Sequence, residues 1–219
     1  MPYHMTHLHI AKNIYQRFSS KIKDLSQFYL GNLAPDAVHN RAGYISDYKK
    51  VSHLCVGDAQ WGRVTNNDEW TDNVLGFLSK IKNSIDYDFI LGYSCHILSD
   101  IYNNIVVWTP FVLKYPDELE KGYGSLYHQE GYKVDIELAL KDDNKENFWV
   151  YLEKAKPITL NDIVFEEEIE KHKENILYNW YKDKKHQDTS SNKIVTIEST
   201  MNFINDAADF ISKKINLYL

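Results

Sequence analysis

A nearly continuous apolar run from Phe89 to Trp108 carries the feature that most constrains the fold of this chain. Inside the run, His96 and Asp100 lie four residues apart. That spacing is close to one turn of an α-helix, so both side chains leave the helix on the same side. A buried carboxylate has to be paired, protonated or bound to a metal ion. The run therefore predicts a central helix whose polar stripe is either a histidine–aspartate hydrogen bond within the core or part of a metal site.

The same run approaches the length of a membrane-spanning helix, which needs about 20 apolar residues. It contains Asn103 and Asn104 in addition to the histidine and the aspartate. Polar and ionisable residues are rare inside a bilayer, so this content favours a buried helix of a compact protein. We therefore predict that the chain has no transmembrane segment.

Further histidine and aspartate residues lie beside apolar residues in the first part of the chain. His7 begins a pattern of apolar residues at i+3, i+4, i+7 and i+11, so its imidazole is expected to face the core. His9 is about 200° further round the same helix and should face elsewhere. Asp36 follows a turn at Pro35, and His53 lies among apolar neighbours.

The order of these residues resembles the zinc-dependent phospholipase C family. The resemblance runs from Thr6 to about Leu140, and it rests on the order of the residues because no single dipeptide is specific. The matching segments are Thr6-His7, Pro35-Asp36, Ser52-His53, Leu91-Gly92-Tyr93-Ser94-Cys95-His96-Ile97-Leu98-Ser99-Asp100 and a later His128. The family shares an all-helical fold with the single-strand-specific fungal nucleases, and its active site is a cluster of up to three zinc ions.

The resemblance implies a ligand set and a catalytic residue. Asp36, His53, His96 and Asp100 would surround one metal ion, and Asp100 would also bridge to a second ion held by His7. Asp36 would in addition take a proton from the attacking water. Mixed histidine and carboxylate ligands suit zinc, and manganese or iron accepts the same donors.

The sequence departs from the family pattern at several positions. Family members with the complete cluster begin their mature chain with a tryptophan that binds metal, whereas this chain starts with Met1, Pro2 and Tyr3. They carry a histidine six residues after the helix aspartate, where this chain has Val106. They also carry a glutamate four residues after the later histidine, where this chain has Tyr132.

His128 does have an acidic residue on its own predicted face, because Asp135 follows seven residues later. Seven residues are nearly two helical turns, which separates the Cα atoms by about 10.5 Å along the axis. Asp135 is therefore expected either as a stretched metal ligand or as a partner that orients His128. The alternative is that the two residues are ordinary polar positions on a helix.

The fold class predicted from these patterns is all-α, a single compact multi-helix domain around a central buried helix, and the resemblance implies that this domain is of the phospholipase C and nuclease type. A chain of 219 residues with 43% hydrophobic residues is long enough to bury a core without metal support. We place one domain over residues 1–219, with 141–219 as additional packing helices. One expected apolar stripe consists of Val74, Leu78, Ile81 and Ile85.

Charge, cysteines and the N-terminal segment restrict partners and location. The formal net charge of −6 provides no broad basic surface for duplex nucleic acid. Cys55 and Cys95 are expected to be unpaired thiols, although their spacing also allows a disulfide. His172 is expected at the edge of the core. We expect a cytoplasmic location because no positively charged leader precedes an apolar run.

The function predicted from the sequence is that of a metal-dependent phosphoric ester hydrolase, similar to phospholipase C, with one to three zinc ions. Its substrate would be a small phosphoester or a phospholipid head group. One alternative is a non-catalytic helical protein with a degenerate metal site. Another is a module that binds a phosphorylated ligand without turnover.

Overall fold

Ten α-helices make up the fold within the residues that the computed structural model describes, namely 2–80, 84, 86–141 and 145–219. The helices are α1 (His4–Phe18), α2 (Leu25–Gly31), α3 (Ser46–Ser52), α4 (Asn67–Lys80), α5 (Tyr87–Asn103), α6 (Thr109–Lys114), α7 (Leu126–Lys141), α8 (Lys145–Lys154), α9 (Glu166–Asn175) and α10 (Ile197–Ile215). These described residues contain one isolated antiparallel bridge, between Leu160 and Val164, and no β-strand. The predicted all-α class is confirmed.

Shorter helical turns join several of these helices. Two are 3₁₀ turns, Ala34–Asn40 and Pro116–Gly124, and two are π turns, Asn104–Trp108 and Ile176–Trp180. The first π turn directly precedes Pro110 in α6. Because proline has no N–H to donate to the carbonyl four residues earlier, a widened turn at this place is the expected response. The central helical run therefore changes geometry after Asn103.

The central helix α5 is buried on almost every side. It packs against α2, α4, α10 and α1. The side chains of His96 and Asp100 are 1% and 0% exposed, so both polar residues lie inside the core. No helix in the described part of the chain combines the length and the apolar character needed to cross a bilayer, which agrees with the predicted absence of a transmembrane segment.

Helix α1 places its histidines as the apolar pattern predicts. His7 is buried and His9 is more exposed. The first turn of α1 is held by Asp135 of α7, whose Oδ1 accepts a hydrogen bond from the backbone N–H of Met5 at 2.8 Å. The hydroxyl of Tyr181 donates to the other oxygen of Asp135 at 2.7 Å. The carboxylate thus satisfies a helix N–H that has no partner within α1.

Helices α2 and α5 approach each other at two glycines. A Cβ atom built on Gly31 would lie 1.9 Å from the carbonyl oxygen of Phe89, and one on Gly92 would lie 2.1 Å from the carbonyl oxygen of Phe28. The side-chain amide of Asn32 donates to the carbonyl of Gly92 at 3.2 Å. This crossing therefore depends on the absence of a side chain at both glycines.

The apolar stripe of α4 is partly accounted for. Val74 and Leu78 are fully buried. Ile81 and Ile85, the other two members of the expected stripe, lie outside the described residues.

Replacement of Gly31 or Gly92 by alanine is expected to destabilise the protein strongly. Overpacking a core costs about 1–3 kcal/mol, and here the obstacle is backbone, which yields less than a side chain, so we expect at least about 3 kcal/mol. Gly76→Ala in α4 is the control, since a Cβ there meets no atom within 4 Å and alanine should stabilise the helix by about 0.5–1 kcal/mol. Urea denaturation measures all three. Equal stabilities of Gly31→Ala and Gly76→Ala would contradict the close crossing.

Candidate metal centre

Three imidazoles and two carboxylates converge beside α5. They come from α1, from the first 3₁₀ turn, from the residue that follows α3 and from α5 itself. Two groups among the described residues could each hold a metal ion, and within each group the ligand atoms lie within 4.8 Å of one another. The groups share one histidine, and they are His7 with His96 and Asp100, and Asp36 with His53 and His96.

The spacing of the polar atoms matches that of ligands around a small cation. His53 Nε2 lies 3.1 Å from Asp100 Oδ2, 3.3 Å from His96 Nε2 and 3.4 Å from Asp36 Oδ1. His96 Nε2 lies 3.5 Å from Asp100 Oδ2. Tetrahedral ligands about 2.1 Å from zinc are about 3.4 Å apart. On the other side of Asp100, its Oδ1 lies 3.6 Å from His7 Nε2.

Hydrogen bonds on the far side of each ring decide which nitrogen faces the cluster. His96 Nδ1 lies 2.8 Å from the carbonyl oxygen of Asn32, and a carbonyl can only accept. The ring hydrogen of His96 is therefore on Nδ1. His53 Nδ1 likewise lies 3.0 Å from the carbonyl of Lys49. In the neutral ring the Nε2 atom of both residues then carries a lone pair that points toward Asp100.

His7 follows the same rule through a serine. The hydroxyl of Ser99 donates to the carbonyl of His96 at 2.7 Å. Its oxygen is therefore free to accept from His7 Nδ1, which lies 3.0 Å away. His7 Nε2 has no hydrogen-bond partner in the described part of the chain and faces Asp100. In metal sites, the ring nitrogen that faces away from the metal donates hydrogen bonds of this kind, and they hold the histidine in position.

Asp100 is fully buried, and neither of its oxygens has a hydrogen-bond partner among the described residues. Burial alone would raise the pKa of Asp100, but His96, His53 and His7 around it hold the pKa well below its usual value. The carboxylate is therefore ionised. A buried anion with unsatisfied oxygens and facing lone pairs is a good environment for a cation.

Lys49 is part of this cluster, and sequence reasoning missed it. Its Nζ lies 2.7 Å from Asp36 Oδ1 and 3.4 Å from His39 Nε2, and it lies 5.0 Å from the centre of the Trp61 ring. Burial would lower the pKa of Lys49, but Asp36 and Asp100 outweigh it and raise the pKa above its usual value. Lys49 lies four residues before His53, which directly follows α3, and this helical spacing is the sequence pattern that could have indicated its position.

Asp36 connects the cluster to a large cavity. The cavity has a volume of about 690 Å³, and Asp36, His39 and Lys49 line it at the cluster end. Burial would raise the pKa of Asp36, but Lys49 and the nearby histidines hold it well below its usual value. The remaining wall includes seven aromatic residues, Tyr3, Tyr44, Trp61, Trp70, Trp108, Tyr123 and Trp180. A ligand in this cavity would meet a carboxylate, a cation and aromatic rings.

The structure brings His7, Asp36, His53, His96 and Asp100 together, but it places the other two predicted ligands elsewhere. His128 lines the cavity, and its Nδ1 finds no hydrogen-bond partner among the residues that the structure describes. Burial lowers the pKa of His128 to about 3. Both oxygens of Asp135 are used at the start of α1. Neither His128 nor Asp135 belongs to a metal group among the described residues.

The structure also shows the surroundings of Val106 and Tyr132, at which the sequence departs from the phospholipase C pattern, and of the two cysteines. Val106 is 42% exposed and lies in the π turn that follows α5. Tyr132 packs edge-on against the rings of Tyr3 and Trp180. Cys55 and Cys95 are both free thiols, which confirms that they are unpaired.

The sequence gives no significant match to any protein-family model, curated protein or solved structure. The resemblance to zinc-dependent phospholipase C therefore stays a prediction. What supports a function is the arrangement of the histidine and aspartate side chains beside α5.

Ser99→Ala is expected to destabilise the protein by about 1–3 kcal/mol, because the buried Nδ1–H of His7 would lose its acceptor. Ser94→Ala is a matched control in α5. Its hydroxyl is equally buried but has no hydrogen-bond partner within the described ranges, so its removal should be neutral or slightly stabilising. Urea denaturation at neutral pH measures both. A Ser94→Ala variant as unstable as Ser99→Ala would contradict the assigned role of the serine.

Proposed function

We propose that this chain is a metal-dependent phosphoric ester hydrolase similar to the zinc-dependent phospholipase C family. The observation that carries the proposal is the convergence of three imidazole Nε2 atoms and two carboxylates next to a cavity that also presents Lys49. Asp36, His53, His96 and Asp100 would hold one ion, and His7 and Asp100 would hold another. Nitrogen and carboxylate donors suit zinc, and manganese and iron also accept them.

A bound ion of this kind supplies a Lewis acid for the phosphoryl group and lowers the pKa of a water molecule toward neutrality. The side chains around the cluster support the same chemistry. Asp36 is ionised and lines the cavity, so it is placed to accept a proton from water there. Lys49 remains cationic beside it and would neutralise a phosphoryl oxygen.

The cavity contributes orientation and shields the ester from bulk water. Its volume of about 690 Å³ lies within the range of about 300–1,000 Å³ that is usual for small-molecule sites. Trp61 lies against both His53 and Lys49 and covers the cluster on the cavity side. A small phosphoester fits this space, with its phosphoryl group at Lys49 and its organic part between the aromatic walls.

A module that binds a phosphorylated ligand without turnover is the second candidate. It is favoured by Val106, which replaces a metal-binding histidine of the family and is partly exposed to solvent. Thermal stabilisation by inorganic phosphate together with no hydrolysis of any phosphoester would select this candidate over the hydrolase.

Asp100→Asn is expected to abolish metal binding while leaving the helix content unchanged. The substitution removes the negative charge that the two proposed ion sites share. Asp135→Asn is the comparison, since it also neutralises a buried carboxyl group but one whose oxygens hold α1. Elemental analysis of each variant after chelation and reloading with zinc counts the ions per chain. We expect wild type and Asp135→Asn to take up equal amounts and Asp100→Asn to take up little. Loss of an ion from Asp135→Asn would instead support the predicted His128 and Asp135 site.

Asp36→Asn is expected to lower the hydrolysis of bis(4-nitrophenyl) phosphate by about 100-fold or more, because a proton acceptor contributes about that much to a rate. Treatment of the wild type with a chelator should abolish hydrolysis, and zinc should restore it. Asp209→Asn serves as the control, since Asp209 is exposed and pairs with Arg17 far from the cluster. If the metal-loaded wild type hydrolyses no phosphodiester, the hydrolase proposal is wrong.

A further inference from the structure

The cavity wall also contains a pair of histidines, His4 from α1 and His172 from α9. Their rings meet edge to face with centroids 5.1 Å apart. Each side chain is 8% exposed, and both line the cavity. His4 Nδ1 and His172 Nε2 have no hydrogen-bond partner among the described residues. Buried polar atoms are normally satisfied, so these two atoms single out the pair as a place where the protein leaves hydrogen bonds unmade.

The two imidazoles are uncharged at neutral pH. Burial lowers the pKa of His4 to about 4 and that of His172 to about 3, although Asp36 acts in the opposite direction on both. A neutral imidazole has one nitrogen that donates and one that accepts a hydrogen bond. The pair can therefore recognise a group that both donates and accepts, such as a hydroxyl or an amide, without a charge.

The surroundings of the pair disfavour a charged ligand group. Asp36 is the one carboxylate among the described residues that line the cavity, and it already pairs with Lys49. A cationic head group would therefore find no carboxylate in the described wall other than Asp36, whose charge Lys49 already balances. The Trp180 ring lies 5.0 Å from the His4 ring and adds a flat apolar surface. An uncharged group with polar edges matches this wall.

We propose that His4 and His172 form a subsite for the uncharged, hydroxyl-bearing part of the phosphoester, and that Lys49 and Asp36 receive its phosphoryl group. The ligand chemistry is that of a nucleoside or a polyol, as opposed to choline or another ammonium alcohol. This inference rests on the proposed function for the assignment of the phosphoryl end. The histidine subsite itself can be tested without catalysis.

Tryptophan fluorescence gives a direct binding readout, because four of the five tryptophans line the cavity. The metal-loaded protein would be titrated with adenosine, glycerol and choline. We expect saturable binding of adenosine or glycerol and weaker binding of choline. Whichever of the two uncharged alcohols binds more tightly identifies the source of the recognised group.

Variants of the pair test whether the imidazoles make the contact. His172→Leu should weaken binding of the preferred alcohol by about tenfold, the effect of about one lost hydrogen bond. His172→Gln keeps a donor and an acceptor and should bind within about twofold of the wild type. If circular dichroism shows that His172→Leu does not fold, His4→Phe makes the same test from α1, because it removes both ring nitrogens and keeps an aromatic ring.

The outcomes separate the subsite from the hydrolase activity. Tighter binding of choline, no binding of either alcohol, or wild-type affinity in folded His172→Leu and His4→Phe would each overturn the subsite. Hydrolysis of bis(4-nitrophenyl) phosphate, which carries no hydroxyl or ammonium group, reports the proposed function alone. Alcohol binding that depends on His172 without such hydrolysis would keep the subsite and reject the hydrolase.

Discussion

The close approach of α2 and α5 is the constraint on which the candidate site depends. Gly31 and Gly92 let the two backbones touch, and Asn32 follows directly at the end of α2. Its side chain donates to α5, and its carbonyl accepts from His96 Nδ1. A wider crossing would carry this carbonyl away from His96 and leave the imidazole free to turn. The apolar contact between the helices therefore also fixes the direction of a polar ring.

The position of His53 also depends on side chains of neighbouring helices that donate hydrogen bonds to backbone carbonyls. Tyr93 of α5 donates to the carbonyl of Ser52 at the end of α3, which places the next residue, His53, against the cluster. Trp70 donates to the carbonyl of His53 from α4. The backbone at His53 is thus held from α5 and from α4, outside the cluster. Rigid positions of this kind are what a catalytic or binding site needs, because small displacements of its groups cost activity.

Helical periodicity was sufficient to predict which side of α1 and which side of α5 carry the candidate metal ligands. The spacing in α5 put His96 and Asp100 on one side, and the apolar pattern of α1 put His7 in the core. Periodicity assigns a face but does not identify what packs against it. For that reason Lys49, which approaches Asp36 from a short separate helix, was not predicted. His128 and Asp135 share the face that their spacing implies, but Asp135 is used to hold the start of α1.

The charges inside the cluster explain why the site favours a cation. Asp36 and Asp100 are both ionised, and Lys49 compensates only one of them. The second negative charge lies on Asp100, which is fully buried. Burial would lower the pKa of His96, but Asp100 and Asp36 raise it above its usual value, so the surroundings of this ring favour positive charge. A divalent ion would supply that charge next to the unprotonated Nε2, since a metal ligand has to be unprotonated. The uncompensated negative charge of Asp100 therefore explains both the raised pKa of His96 and the affinity for metal that we propose.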